Sequence, residues 1–304
     1  MQNMHDKVGM KSVLELVQLE QFVTLARTGN FTRAAKKLSL SQSALSRSIQ
    51  RFEDRIGQPL FERKPREVLL TDLGEILLER AREILHLVED TMEMIAEADQ
   101  NGKIRLGAIP TIAPYFLPGI LAEFAEAHRN IAVVVQEDTT ENLIRRCRHG
   151  EIDLALLAHP VHAKYLETEA LFDEELFLVV PSEHELASRM KVEPGVVEEY
   201  PFVTLNEAHC LAENINSFCR NQSLQPVSVE RISQLATVQE LVALDHGISI
   251  IPAMARDLDG SDRRVYRSFS GEKPSRTIIM MWNPNRYESK WIQALKHYLR
   301  TSCS

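Results

Sequence analysis

A chain of 304 residues with 44% apolar and 26% charged residues is long enough for two or three compact units, and its ordinary composition excludes a collagenous, low-complexity or largely disordered protein. The net charge is −8, yet Lys11 to Arg66 holds 11 Lys and Arg against 5 Asp and Glu, which makes that segment +6 and leaves −14 elsewhere. A basic module on an acidic body is the pattern of a protein that grips a polyanion at one end only. Met1 to Val13 lacks the apolar run of a secretory leader, no uncharged apolar stretch is long enough to span a bilayer, and four cysteines are too few for an extracellular disulfide framework. A cytoplasmic location with no membrane partner is therefore expected.

The first periodic segment places Leu19, Phe22, Val23 and Ala26 at helical spacing and ends at Gly29-Asn30. A second short helix, with Thr32 as its cap and Ala34, Ala35 and Leu38 inward, breaks at Ser39 to Ser41. A third starts at Gln42; its stripe of Leu45, Ile49, Phe52 and Ile56 leaves Gln42, Ser43, Ser46, Arg47 and Gln50 facing outward near its start. This is a helix-turn-helix pattern, in which such residues reach base edges: Gln reads adenine, Arg reads guanine, and Ser serves bases or phosphates. After Gly57, Pro59 to Arg66 and Val68 to Leu70 read as a hairpin with Arg63, Lys64 and Arg66 at a basic tip, suited to phosphates or the minor groove.

Residues 19 to 74, with their alanine pair, SQSALSRSI helix and PLFER wing in order, resemble the DNA-binding domain of the LysR family of bacterial transcription factors. The resemblance implies a regulator of transcription that binds double-stranded DNA, with a sensing module at its C-terminal end and contact with RNA polymerase.

From Asp72 to Asp99, Leu73, Leu77, Ala81, Ile84, Val88, Thr91 and Ile95 alternate at spacings of four and three, the signature of a two-helix seam. That predicts a homodimer on inverted DNA half-sites; a lone amphipathic helix packed on its own domain is the alternative. The family resemblance implies a linker helix here and favours two dimers joined as a tetramer.

Beyond Asn101-Gly102, strand-like runs (Ile104 to Ile109, Ile131 to Val135, Ile152 to Leu157) alternate with helical ones near Pro118 to His128 and Glu141 to His149, which is α/β punctuation. A further unit starts near Leu176 to Val180, and a strand at Thr277 to Trp282 with a last helix around Tyr287 to Leu299 follows it. The fold class expected is α/β: a winged helix-turn-helix over 14–71, a dimerisation linker helix over 72–99, and a regulatory domain over 100–304. The resemblance implies that this domain has two subdomains like those of type II periplasmic binding proteins, 100–175 with 273–304 and 176–272, around a ligand site.

Within that domain, His209-Cys210-Leu211 followed by Phe218-Cys219, with Ile109-Pro110-Thr111, Glu137 to Thr140 and Arg276-Thr277-Ile278, resembles the OxyR-type peroxide sensors of the same family. The resemblance implies that Cys210 attacks hydrogen peroxide, that Cys219 captures the sulfenic acid as a reversible disulfide, and that a cellular thiol reductant resets it. It also implies that His209 and Arg276 favour the thiolate while Thr111 and Thr140 hold the peroxide. A thiolate is the nucleophile, so a donor-rich neighbourhood that lowers the thiol pKa is expected. If Leu211 to Phe218 is helical, the cysteines are roughly 13 Å apart at about 1.5 Å per residue, against the 7 Å or so that a disulfide allows between Cα atoms. Oxidation then has to unwind the segment.

Ala208 stands where a glycine is usual in that pattern, and Glu213 replaces a shorter acid. Cys147, four residues after Leu143 on a helix and read as core, and Cys303, in the tail, carry no chemistry in this reading. Two alternatives stay open: a LysR-type regulator triggered by a noncovalently bound small molecule, and a thiol peroxidase using the same two cysteines. A periplasmic solute-binding protein conflicts with the helix-turn-helix. The chain offers no metal-ligand spacing, phosphate or dinucleotide loop, or hydrolase elbow, so no cofactor, no metal and no enzymatic activity are expected.

Overall fold

The first turn of the N-terminal unit is decided by backbone geometry at Gly29, which closes α1 (Leu16–Thr28) in the left-handed region at φ 59°, where a Cβ is unfavourable. The chain leaves it extended through Asn30, whose Oδ1 accepts from Arg33 N at 3.0 Å and caps α2 (Phe31–Lys37). The cap is thus Asn30 and not Thr32, which lies inside the helix. Ser41 caps α3 (Gln42–Ile56) by accepting from Ala44 N at 3.1 Å, and Gly57 at φ 83° ends it. The computed structural model describes residues 14–63, 68–96, 102–206 and 210–302, in two units that divide after Ala96.

In the first unit, α1 to α3 bury Leu19, Phe22, Leu25, Ala35, Leu45, Ile49 and Phe52 together with Leu60 and Phe61. Phe22 is central, with ring centroids 6.1 Å from Phe52 and 5.3 Å from Phe61. The wing is an antiparallel pair, β1 (Phe61–Arg63) and β2 (Val68–Leu70). It is tied to α3 by Glu53, a buried acid whose Oε1 accepts from Leu60 N at 2.8 Å and Phe61 N at 3.1 Å. Glu53→Ala leaves both N–H groups without that acceptor and is expected to cost about 2–4 kcal/mol of this unit's stability, read by urea denaturation. A change below about 0.5 kcal/mol would contradict the anchoring role.

α4 (Asp72–Ala96) is continuous, but its apolar stripe divides into a buried and an exposed part. Leu73, Leu77 and Ala81 pack into the core of their own unit, with Leu78 and Leu85, and Ala81 is fully buried. Ile84, Val88 and Ile95 remain exposed, joined by Ile76, Leu87, Met92 and Met94. Period alone cannot distinguish the two faces, because own-domain and partner contacts both follow the helical repeat.

The second unit is built on β3 (Gly102–Ala108), β4 (Ile131–Glu137), β5 (Leu154–Ala158), the 15-residue β6 (Glu167–Pro181), β7 (Lys191–Val192), β8 (Phe202–Leu205), β9 (Ser228–Ile232), β10 (Ser249–Pro252), β11 (Arg264–Phe269) and β12 (Ser275–Trp282). Its main sheet runs β4-β3-β5-β12-β6-β11-β7, with β10 also on β6, while β8 and β9 form a separate parallel pair. β3 is parallel to β4 and β5; β12 returns antiparallel between β5 and β6. The helices are α5 (Ala113–Ala127), α6 (Thr140–Arg148), α7 (Cys210–Asn221), α8 (Leu235–Ala243), α9 (Ala253–Asp257) and α10 (Lys290–Thr301).

Two cores lie along this sheet. One gathers Leu106, Phe124, Leu143, Leu156, Ile279 and Leu295; the other gathers Leu178, Val203, Leu211, Ile250 and Phe269. β6 belongs to both: Glu167 to Glu175 pairs with β12, and Leu176 to Pro181 pairs with β10 and β11. The apolar run at Leu176 is therefore the second half of one long strand. α5 begins at Ala113 and carries Pro118 inside it, held by the burial of Leu117, Ile120 and Phe124, so tertiary packing overrides the proline as a start signal. Among the described residues no helix is long and apolar enough to cross a membrane.

Candidate functional site

The ends of the parallel strands converge on one buried arginine. Thr111 follows β3, Thr140 opens α6 after β4, and Arg276 lies on β12 directly opposite Glu174 of β6. Arg276 donates from Nε to Glu174 Oε2 at 2.7 Å, from Nη1 to Thr111 Oγ1 at 2.8 Å, and from Nη2 to the Thr111 carbonyl at 3.0 Å. The other Glu174 oxygen accepts from Met254 N, at the start of α9, at 2.8 Å. The Arg276 and Glu174 side chains are 0% and 3% exposed, so each removes the other's cost of burial as an unpaired charge.

Cys210 is the first residue of α7 and packs against the first core. Burial pushes its thiol pKa above the ordinary value; the Arg276 charge, the Thr140 hydroxyl and the Ala158 backbone pull it back only in part. The Arg276 charge thus acts on the thiol in the direction the resemblance implies, against a larger effect of burial. Desolvation outweighs an arginine whose charge is already paired with Glu174. The Thr140 hydroxyl is buried without a conventional hydrogen-bond partner among the described residues. One turn beyond Cys210, Asn214 Nδ2 donates to the His159 carbonyl at 2.8 Å, while its buried Oδ1 has no hydrogen-bond partner among the described residues. Such groups suit a small molecule that both donates and accepts hydrogen bonds.

Cys219 lies nine residues on, in the same unbroken helix, and is buried in the second core. Burial, with Glu198 nearby, pushes its thiol up to about 11. Both cysteines are free, and the helical rise keeps their Cα atoms roughly 13 Å apart. Cys147 is fully buried against the first core, its thiol pushed up to about 12 by burial. Because only the thiolate reacts, alkylation of the reduced protein is expected to rise with pH beyond the ordinary thiol range of about 8.5. Among the three described cysteines Cys210 should react first and Cys147 last, as read by peptide mapping; Cys147 leading would contradict these environments.

On the first unit, Gln42, Ser43, Arg47 and Gln50 are exposed near the start of α3 and Ser46 is half-buried. Gln50 Nε2 donates to Asp54 Oδ1 at 3.0 Å, which orients its amide along the helix. Arg63 closes β1. Lys64, Arg66, His209 and Cys303 lie outside the described residues. Glu174, Met254 and Asn214 were not singled out by sequence. The one available signal for Glu174 is that an arginine inside a strand between apolar neighbours requires a buried partner.

Residues 16–75 match the bacterial regulatory helix-turn-helix proteins of the lysR family, and residues 97–304 match the LysR substrate binding domain. The chain is 31% identical over 291 residues to the uncharacterized HTH-type transcriptional regulator YybE of Bacillus subtilis, covering 94% of this chain and 98% of that protein. It is 30% identical over 286 residues to the DNA-binding transcriptional dual regulator OxyR of Escherichia coli, covering 90% and 93%. Full-length OxyR from Pseudomonas aeruginosa superposes with a TM-score of 0.78 at 27% identity, over 95% of this chain and 94% of that one. These families and relatives are transcriptional regulators and not enzymes. With the helix-turn-helix at one end, the sensing fold at the other and both matched in sequence, the chain belongs to the LysR family of DNA-binding transcriptional regulators.

Proposed function

We propose that this LysR-family regulator senses hydrogen peroxide through a reversible Cys210–Cys219 disulfide that changes how it engages DNA. The observation that carries the reading is the placement of Cys210 at the head of α7, under the charge of Arg276 and beside the Thr140 hydroxyl, with Cys219 on the same helix. The likeness to the hydrogen peroxide-inducible genes activator of Dickeya chrysanthemi, 30% identical over 283 residues, and to the OxyR structure supports it.

The Cys210 thiolate sulfur attacks one peroxide oxygen, the O–O bond breaks, and the departing hydroxide takes a proton to leave as water. Arg276 and Thr140 favour the thiolate; Thr111, whose Oγ1 accepts from Arg276, keeps its own O–H free to donate to the peroxide. The Cys219 thiol then attacks the Cys210 sulfenic acid, a second water leaves, and the S–S bond forms. Two thiols have supplied the two electrons that convert one peroxide to two waters. A cellular dithiol returns them in the reverse exchange.

In this reading 14–71 reads DNA, 72–99 pairs two copies, and 100–304 senses. The exposed stripe of Ile84, Val88 and Ile95 is the pairing surface of the homodimer, two of which form a tetramer. Inverted half-sites follow from that symmetry, and RNA polymerase is the downstream partner. Arg47 is exposed at the head of α3; Arg47→Ala is expected to weaken specific binding by about 1–3 kcal/mol, read by titrations at fixed salt. An equal loss on unrelated DNA would reassign Arg47 to phosphate contact.

The direct test is footprinting of reduced and peroxide-treated protein on one operator, with Cys210→Ser alongside. The reading expects altered footprint spacing in the wild type and none in the variant. Identical footprints, or a response that survives Cys210→Ser, would overturn it in favour of a noncovalent effector.

A further inference from the structure

A recess of about 270 Å³ opens between α7 and the β8–β9 pair, with Cys219 in its lining. Its lining, from Phe202 to Ser228, includes none of Cys210, Thr111 and Arg276, and Phe202, Leu205, Ile215 and Cys219 among it belong to the second core. A cavity of roughly 150 Å³ already accommodates benzene. This one is larger and not purely apolar. Phe202, Leu205, Ile215 and Leu224 supply a hydrocarbon wall, and Arg220 lies at its edge.

We propose that this recess binds a small amphipathic carboxylate, which holds α7 helical and thereby restrains formation of the Cys210–Cys219 disulfide. The proposal rests on the redox reading of those cysteines. The apolar wall takes an aromatic or aliphatic body. Arg220 takes the carboxylate: its present partner, Glu213 at 2.6 Å, forms a pair in which both side chains are more than half exposed, and such a pair holds the guanidinium weakly. The neighbouring acid, Glu198, is already committed to Gln225 N at 2.7 Å.

The coupling follows from where the lining comes from. Ala212, Ile215, Cys219 and Arg220 are all on α7, so the recess exists only while α7 stays wound over β8. Bringing Cys219 to Cys210 requires that winding to be lost. Occupancy and disulfide are therefore mutually exclusive, and a ligand that binds only the wound form shifts the equilibrium by the factor 1 + [L]/Kd.

The test uses reduced, full-length protein with 1-naphthoate and octanoate as probes and their methyl esters as uncharged controls. Thermal melts report occupancy; mass analysis after a peroxide pulse reports the disulfide rate. The acids, not the esters, should raise the melting temperature and slow disulfide formation at least about fivefold at saturation. Arg220→Ala should weaken binding about tenfold. Asn216→Trp, at an exposed α7 position lining the recess, should abolish it without changing the ligand-free melt. No melting shift with either acid, binding indifferent to both substitutions, or an unchanged disulfide rate at saturation would each overturn the proposal. Absence of any disulfide without ligand would sink the redox reading alone, and the melts would still decide whether the recess binds.

Discussion

Arg276→Met is expected to destabilise the sensing unit by about 3–5 kcal/mol, because it leaves the Glu174 carboxylate buried without its counter-charge. Glu174 retains one bond, from Met254 N, while the Thr111 hydroxyl and carbonyl lose the two donors they share with Arg276. Urea denaturation of the reduced chain measures the cost. The double variant Arg276→Met with Glu174→Leu should recover at least half of it, since removing both charges is far less costly than removing one. The same single variant takes away the positive charge that pulls the Cys210 thiol pKa down, so alkylation of Cys210 should need still higher pH. Full stability in Arg276→Met, or an unmoved alkylation profile, would contradict the role assigned to this pair.

The second large effect is expected in α7. In the reduced chain the helix runs unbroken from Cys210 to Asn221, and Leu211, Ala212, Ile215, Phe218 and Cys219 are buried beneath it. A disulfide between its first and tenth residues cannot form on that backbone. Hydrogen-exchange protection of amides 214–221 is therefore expected to fall on the order of a hundredfold on peroxide treatment, since local unfolding opens exchange in proportion. Cys219→Ser should show no such loss, because the sulfenic acid then has no partner. Protection unchanged in a protein proven to hold the Cys210–Cys219 disulfide would contradict the unwinding.

The sequence pattern exposed the helix-turn-helix clearly because its information is local. Ser41, Gly57 and the stripe of Leu45, Ile49 and Phe52 mark α3 within a few residues of themselves. Cys210 and Cys219 are also close in sequence, nine residues apart, but their pairing rests on a resemblance and stays a proposal. Glu174 was not legible: Glu167, Glu169, Asp173 and Glu175 share its strand, and only the register across β12 brings it opposite Arg276. The division of the α4 stripe was hidden likewise, because Ala81 turns inward only where α4 meets the helices of its own unit. That burial weighs against the Cys210 thiolate escaped a reading that weighed an arginine in sequence without its buried carboxylate.

The central claim is that Cys210 and Cys219 form a two-electron peroxide switch. Intact mass and peptide mapping of reduced protein after a short, near-stoichiometric peroxide pulse test it most directly, with Cys210→Ser and Cys219→Ser alongside. The account expects a loss of two hydrogens and one linked peptide pair, Cys210 with Cys219, in the wild type. It expects no linked pair in either variant and an added oxygen on Cys210 in Cys219→Ser. Thiols that stay free, or an oxidation that spreads evenly over Cys147, Cys210 and Cys219, would contradict it.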